Sequence, residues 1–220
     1  MRYNTCYIVG CGGIGCWLAL CLAKSFPPDH IHLIDGDIVE ERNLDRQLFS
    51  DSDIGSNKAK VLAGIINANF VSDYIDASFS PDSGSLVFGC VDNHPARREI
   101  LAASDRRGCD VIIAANEIIE AEAYFYMPNW SGTGVDPRIY YPAINTDRAG
   151  DPRMPCTGQG QVAHPQLAAA NMAAASYAMI LCHYHCRDEI PDMRYWPYHF
   201  LSTGSTSECR WVEDKNKPVT

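Results

Sequence analysis

Short apolar runs alternate with segments of helical periodicity along the first half of the chain. The runs predict buried strands at Cys6–Val9, Ile31–Ile34, 85–91 and 111–115. Between them, apolar residues recur at helical spacing from Trp17 to Ala23, from Val61 to Ile66 and near Ala96–Ala103. Alternating strands and helices of this kind predict an α/β fold with a Rossmann-like, doubly wound, mostly parallel sheet.

The pattern changes after Ala115. Residues 121–126 predict another strand, and residues 128–161 are rich in Pro, Gly, Asp and Asn, which predicts a long unstructured loop. An alanine-rich helix is expected over Pro165–Cys182, and one or two antiparallel strands over 195–212. We therefore expect one domain over residues 1–220, with a nucleotide-binding core (1–127), a crossover loop (128–163) and a C-terminal helix and strands (164–220).

A glycine-rich segment separates the first predicted strand from the first predicted helix. Its glycines follow the G-x-G-x-x-G spacing that lets phosphates approach backbone N–H groups at a helix N-terminus. Asp35 ends the next strand, twenty residues past the last glycine, where a carboxylate would accept hydrogen bonds from ribose hydroxyls. We expect a nucleotide on the segment formed by Gly10, Gly12, Gly13, Ile14 and Gly15.

Three further motifs follow in order along residues 35–97. They are Asp35-x-Asp37-x-Val39 with Asn43-Leu44-x-Arg46-Gln47, then Ile54-Gly55-x-x-Lys58-Ala59, then Cys90-x-Asp92-Asn93-x-x-x-Arg97. Together with the glycine segment, they closely resemble the ThiF/MoeB and ubiquitin-activating enzyme family over roughly residues 5–115. Several motifs in one order are far more specific than any single motif.

That resemblance implies an enzyme that uses ATP and Mg²⁺ to adenylate the C-terminal glycine of a ubiquitin-like or sulfur-carrier protein. It implies that Asp35 holds the ribose, that Asp92 holds Mg²⁺, and that the rest of the nucleotide site comprises Asp37, Asn43, Arg46, Gln47 and Lys58. The chain is most similar to the small bacterial members, which implies a homodimer. Where transfer follows adenylation, a downstream conjugating protein is a further expected partner.

The residues themselves are suited to this chemistry. A C-terminal carboxyl group has a pKa of about 3.5, so it is already an anionic nucleophile at neutral pH and needs no general base. The barrier lies in bringing that anion to an anionic α-phosphate, which fixed cations and a metal ion lower. Arg46 and Lys58 are the expected cations, and together with Asp92 they form the predicted catalytic group.

Three cysteines and one arginine allow two interpretations each. Cys156 lies in the crossover loop, where family members that form a thioester carry their nucleophile, but a loop cysteine can also be packed. Cys182 and Cys186 lie one helical turn apart. They are either zinc ligands or buried thiols at a helix end, and we favour the buried thiols. Arg97 is either a phosphate or acid contact, or a helix-surface residue.

Composition narrows the class of partner. The formal net charge is −9 and the pI is about 5.1, which disfavours nucleic acid because phosphate would be repelled. The ten cysteines include no CxxC pair, and Cys6, Cys16, Cys21 and Cys182 lie in apolar runs that predict burial. No apolar stretch nears twenty residues and the first residues have no signal-peptide layout, so we expect a cytoplasmic protein with free thiols and no membrane contact.

Other functions stay open on the sequence. A related enzyme acting on a small molecule or on tRNA would use the same residues without a protein partner. An NAD-dependent oxidoreductase would use the glycine segment and Asp35, but it would leave Arg46, Lys58 and Asp92 without a function. A non-catalytic scaffold is disfavoured because every expected site residue is present.

Overall fold

The computed structural model describes residues 2–146, 167–186, 195–203 and 205–213. Eight strands form one sheet in the order β3-β2-β1-β4-β5-β6-β7-β8. The strands are β1 Cys6–Val9, β2 Ile31–Ile34, β3 Asn69–Val71, β4 Leu86–Gly89, β5 Asp110–Asn116, β6 Ala121–Tyr126, β7 Tyr195–Ser202 and β8 Ser207–Glu213. The helices are α1 Gly13–Leu22, α2 Lys58–Ile66, α3 His94–Arg107, α4 Pro137–Tyr140, α5 Ala143–Thr146 and α6 Ala168–Cys186.

Strands β1 to β5 pair in parallel, and β6, β7 and β8 continue the sheet in antiparallel pairing. The central strands are apolar at nearly every position because helices cover both faces of a parallel sheet. Ile8 of β1, for example, lies between Leu33 and Phe88 in register, and all three side chains are fully buried. The predicted fold class, including the antiparallel C-terminal strands, is confirmed.

The site is positioned by a reversal in the order of the strands next to β1. The chain leaves β1 for β2 on one side, whereas β4 pairs with β1 on the other side. At such a switch point the connections diverge and leave a crevice at the carboxyl ends of the strands. The glycine segment crosses this crevice, with the Gly10 N–H donating to the Ile34 carbonyl at 2.9 Å and the Cys90 N–H donating to the Val9 carbonyl at 2.8 Å.

Two hydrophobic clusters cover the two faces of the sheet. One contains side chains of α1, α2 and α6, and the other contains side chains of α3 together with Ile144 of α5. The alanine-rich face of α6 packs closely on α1, β5 and β6 because Ala174, Ala175 and Ala178 are fully or almost fully buried. Such small side chains let the helix approach its neighbours, so this face belongs to the core.

The structure differs from the sequence predictions in several places. Strand β3 was not predicted, since Phe70 and Val71 are half exposed at the sheet edge and have no buried periodicity. The segment predicted to be unstructured contains α4 and α5 before residue 147, after which it lies outside the described residues. Helix α6 extends four residues beyond the predicted end at Cys182, and its predicted start at Pro165 lies outside the described residues.

Arg138 explains why α4 forms within that polar segment. Its guanidinium donates to Asp105 at 2.6 Å and to Asp136 at 2.9 Å, while Asp136 also caps α4 by accepting the Arg138 N–H. Burial of Cys6, Cys16 and Cys182 is confirmed, but the prediction for Cys21 is wrong, because this side chain faces outward from α1. Within the described ranges, no helix has the length and apolar character needed to cross a bilayer.

A pair of glycine-to-alanine variants tests the packing of the glycine segment. A methyl group on Gly15 of α1 would lie 1.9 Å from the Gly10 carbonyl oxygen, so Gly15→Ala should lower the free energy of unfolding by about 1–3 kcal/mol. Gly64 of α2 has nothing within 4 Å of such a methyl group, so Gly64→Ala should raise stability by about 0.5–1 kcal/mol. Urea unfolding followed by circular dichroism measures both, and equal effects would contradict the described packing.

Candidate active site

The glycine segment is held against the end of β4. Gly10 has a φ of +91°, a conformation that L side chains rarely adopt, and a methyl group there would lie 2.6 Å from the Cys90 carbonyl oxygen. Gly12 precedes α1 and provides no side-chain cap, which leaves the first-turn N–H groups of this ten-residue helix available to an anion. The geometry therefore fits the predicted phosphate-binding role of this segment.

Asp35 joins the glycine segment to the end of β2. One carboxylate oxygen accepts the Cys11 N–H at 2.6 Å, and the other accepts the Asp37 N–H at 2.8 Å. Burial raises the pKa of this carboxyl group, while the two N–H donors and the charge of Lys58 act in the opposite direction. Each oxygen keeps lone-pair capacity, so the predicted bonds to ribose hydroxyls are compatible with this arrangement and stay a prediction.

Lys58 is a buried cation beside these acids. Its ammonium group lies 3.0 Å from Asp37, with the Lys58 side chain 9% exposed and the Asp37 side chain 47% exposed. Burial acts to raise the pKa of Asp37, but a 2.5 Å hydrogen bond from Tyr74 and the charge of Lys58 hold it below its usual range. The ion pair with Asp37 thus holds the Lys58 ammonium group close to Asp35, the acid predicted to bind ribose.

Asn57 explains why Lys58 reaches this position. Its side-chain oxygen caps α2 by accepting the Lys60 N–H at 3.0 Å. Its side-chain nitrogen donates to the carbonyl groups of Asp35 at 2.7 Å and Asp37 at 3.1 Å. The same residue therefore starts the helix and attaches its first turn to the acidic segment.

The segment with Asn43 and Gln47 folds as a short capped turn. Asn43 is buried, its side-chain oxygen accepts the Glu40 N–H at 2.9 Å, and its carbonyl accepts the Gln47 N–H at 3.0 Å. A methyl group on Gly12 would lie 3.8 Å from the Gln47 side-chain nitrogen. The Gln47 side-chain oxygen is buried and has no hydrogen-bond partner in the described part of the chain, so it could accept a bond from a donor group of a ligand but not from phosphate.

The Arg46 side chain was predicted to contact phosphate, but in the structure it bonds to neighbouring residues. Its guanidinium donates to the Arg42 carbonyl at 2.5 Å and to Asp45 at 2.7 Å, while Trp17 of α1 donates to its backbone carbonyl at 3.3 Å. The backbone of Arg46 is therefore fixed beside α1. The guanidinium is engaged within its own turn, and its predicted contact with phosphate stays a prediction.

Asp92 follows β4 at the opposite side of the crevice from Asp35. The residue is exposed, yet partial desolvation and the nearby charge of Asp37 raise the pKa of its carboxyl group. Mg²⁺ commonly takes one or two carboxylates together with phosphate oxygens and water. The metal role of Asp92 stays a prediction, whereas Arg97 donates to the Val91 carbonyl at 3.2 and 3.3 Å and so braces the Asp92 turn.

The remaining cysteine predictions have different outcomes. Cys156 lies outside the described residues, so its proposed nucleophilic role stays a prediction. Cys182 and Cys186 are both buried on α6 with their sulfur atoms 3.3 Å apart, which agrees with packed thiols at a helix end. Among the described residues, no group of three or more His, Cys, Asp or Glu side chains could hold a metal ion.

A partly buried polar cluster between β6, β7 and the segment that contains α4 and α5 was not predicted from the sequence. Glu122 of β6 accepts a hydrogen bond from Tyr141 and pairs with His199 of β7 at 2.6 Å. Burial and the charge of Glu122 raise the pKa of Tyr141 well above its usual range. Sequence spacing contains no signal for this cluster because its members come from separate elements, with Glu122 and His199 lying 77 residues apart.

Comparison with known proteins finds a family model that matches almost the whole chain and relatives that match parts of it. The model of the ThiF family matches residues 1–219. The NEDD8-activating enzyme E1 catalytic subunit of Drosophila melanogaster is 48% identical over 63 residues, covering 28% of this chain and 14% of that protein. The adenylyltransferase and sulfurtransferase uba4 of Sclerotinia sclerotiorum is 35% identical over 96 residues, covering 43% of this chain and 16% of that protein. The chain thus spans a small part of these relatives.

Solved structures with the same fold include E. coli MccB with ATP, with a TM-score of 0.65 and 21% identity over 96% of this chain and 64% of that one. PaaA has a TM-score of 0.66 and 18% identity, again over 96% of this chain and 64% of that one. At these identities the likeness establishes the fold.

Removing the Lys58 charge tests the electrostatics of the site. Lys58→Met should raise the pKa values of both Asp35 and Asp37, because the ammonium group favours their ionised forms. Carboxyl ¹³C NMR titration measures both values, with Lys60→Met on the exposed side of α2 as the control. Unchanged titration of Asp37 in Lys58→Met would contradict the ion pair.

The same ion pair has a consequence for stability. Since the folded-state pKa of Asp37 is depressed, its contribution is present above its unfolded pKa and is lost as the pH falls through the folded value. Wild type should therefore lose more stability than Asp37→Asn on acidification below about pH 4. Urea unfolding between neutral and acidic pH measures the difference, and parallel curves would contradict the assignment.

Proposed function

The chain belongs to the ThiF family, and we propose from this premise that it activates a carboxylate by adenylation with ATP. The observation that supports the proposal most strongly is the chain of contacts from Cys11 through Asp35 and Asp37 to Lys58. It brings a buried cation to a phosphate-binding segment and a ribose-binding acid. A nicotinamide enzyme has no evident use for that cation, which favours the adenylation reaction.

The reaction we propose is a displacement at the α-phosphorus of ATP. A carboxylate oxygen forms a bond to phosphorus as the bond to the bridging oxygen of pyrophosphate breaks, giving an acyl adenylate and pyrophosphate. The nucleophile is already ionised, so the chain need only align two anions and stabilise the charge that develops. No proton transfer is required in this step.

Each site residue has a distinct role in this proposal. Asp35 accepts the ribose hydroxyls, and the first-turn N–H groups of α1 bind phosphate oxygens. Lys58 neutralises phosphate charge, Gln47 donates from its amide, and Asn43 holds the turn that carries Gln47. Arg46 would exchange its bond with the Arg42 carbonyl for a phosphate contact, and Asp92 would hold Mg²⁺, which offsets phosphate charge when bound.

The substrate we propose is the C-terminal glycine of a ubiquitin-like or sulfur-carrier protein. The support is the names of the relatives, a NEDD8-activating enzyme and an adenylyltransferase with sulfurtransferase activity. We further propose a cytoplasmic homodimer, and a transfer to Cys156 that forms a thioester and releases AMP. A downstream conjugating protein would then accept the carrier from Cys156.

Loss of a charged group should abolish adenylation without unfolding the protein. Arg46→Ala and Asp92→Ala should each lower carrier-dependent ATP–pyrophosphate exchange by roughly 100-fold or more, because the first removes a cation that would stabilise the transition state and the second removes the carboxylate proposed to hold Mg²⁺. Lys60→Ala is the control, because Lys60 is an exposed cation on α2, the helix that begins with Lys58. Exchange at the wild-type rate in either variant, with the fold intact by circular dichroism, would refute the assigned role.

Transfer to sulfur is tested separately from adenylation. Cys156→Ala should keep ATP–pyrophosphate exchange within about twofold of wild type, because the thiol acts only after the adenylate has formed. The same variant should lose the reducible covalent adduct between the chain and its carrier on a non-reducing gel. An adduct that persists in Cys156→Ala would assign the nucleophile to another cysteine. Cys209→Ala is the control substitution and should keep both the exchange and the adduct.

A further inference from the structure

Asn171 is a buried polar side chain with no function assigned so far. It lies in the first turns of α6 and is fully buried. Within the described residues, neither its side-chain oxygen nor its side-chain nitrogen has a hydrogen-bond partner. A buried amide without partners destabilises a protein, so such a group is expected where a ligand supplies the missing bonds.

The amide of Asn171 lies directly against the glycine segment. A methyl group on Gly13 would lie 2.7 Å from both the nitrogen and the oxygen of this amide. On the other side, the Gln47 amide lies against Gly12 and contains a second buried oxygen without a described partner. Two amides with unsatisfied atoms therefore flank the first turn of α1.

The two sides of the segment correspond to different parts of an adenylate. Asp35 ends β2, on one side of β1, whereas α6 packs on α1, β5 and β6, towards the other side. The inference that follows rests on the proposed function, with the ribose at Asp35 and the α-phosphate on the glycine segment. The acyl group attached to that phosphate then extends away from Asp35 and towards Asn171.

We propose that Asn171 is a binding residue for the last residue of a peptide-linked substrate. Its side-chain nitrogen donates to the acyl carbonyl oxygen, and its side-chain oxygen accepts the peptide N–H of that residue. A phosphate group offers acceptors only and would leave the Asn171 oxygen unsatisfied. A peptide offers both a donor and an acceptor, so this residue selects a protein or peptide C-terminus over a simple carboxylic acid.

Two non-hydrolysable adenylate analogues isolate the peptide N–H. One is N-acetylglycyl sulfamoyladenosine, and the other is levulinoyl sulfamoyladenosine, in which a methylene group replaces that N–H. Wild type should bind the first roughly 10-fold more tightly than the second in calorimetric titrations. Asn171→Leu should abolish this preference while leaving the affinity for AMP within about threefold of wild type.

Thermal unfolding separates a binding role from a structural one. If Asn171 lacks partners in the ligand-free chain, Asn171→Leu should keep or raise the unfolding temperature without ligand, because a leucine of similar volume buries no unsatisfied atoms. Ser176→Ala is the control, since this serine lies on the same helix and already donates to the Met172 carbonyl at 2.8 Å. It should change neither the preference nor the nucleotide affinity.

The outcomes distinguish this inference from the proposed function. A variant that keeps the wild-type preference, or that unfolds at a lower temperature without ligand, would overturn the role of Asn171 alone. A wild-type protein that binds AMP but shows no preference between the analogues would do the same. Wild type that binds neither AMP nor either analogue would overturn the proposed function and this inference with it.

Discussion

The Asp35 carboxylate is the group on which the arrangement of the site depends. By accepting one N–H from the glycine segment and one from the Asp37 turn, it joins the connections that leave β1 and β2. These connections diverge at the switch point of the sheet, so without such a group little would hold them at a constant separation. A buried carboxylate with two charge-compatible donors does so rigidly, and it keeps capacity for a further polar ligand.

Charge around this carboxylate is balanced within a few ångströms. Burial raises the pKa of Asp35, whereas hydrogen bonding and Lys58 lower that of Asp37, so neighbouring acids of similar intrinsic strength differ in acidity. Lys58 is held through Asp37 and by the start of α2 rather than by Asp35 itself. In the proposed reaction, a phosphate group that enters the crevice would therefore meet a cation already positioned, with little side-chain reorganisation left to the moment of reaction.

Local pattern was enough to predict most of the fold and the elements that carry the site. The four central strands were predicted from apolar runs that are buried on both faces, and the acids at their ends follow from the register of a parallel sheet. Strand β3 could not be predicted because edge residues such as Phe70 lack a buried face. The short helix α4 could not be predicted either, since it depends on Arg138 meeting Asp105 from a separate helix.

The site was predictable only where its residues share one short motif. Asp35, Gln47, Lys58 and Asp92 come from motifs with fixed spacing, and the structure brings Asp35 and Lys58 together through their shared contact with Asp37. The engagement of Arg46 with the Arg42 carbonyl depends on the shape of its turn, which spacing does not specify. The pairing of Glu122 with His199 and the approach of Asn171 to Gly13 depend on tertiary packing between distant parts of the chain.

The double use of Asn57 couples the crevice to a helix that lies mostly outside it. Because one side chain both caps α2 and binds the backbone of Asp35 and Asp37, the helix cannot fray at its start without loosening the acidic segment. Occupancy of the crevice and slow amide exchange along α2 are thereby linked thermodynamically, so a ligand that contacts only the acidic segment and the first residue of α2 would still protect the later turns of the helix.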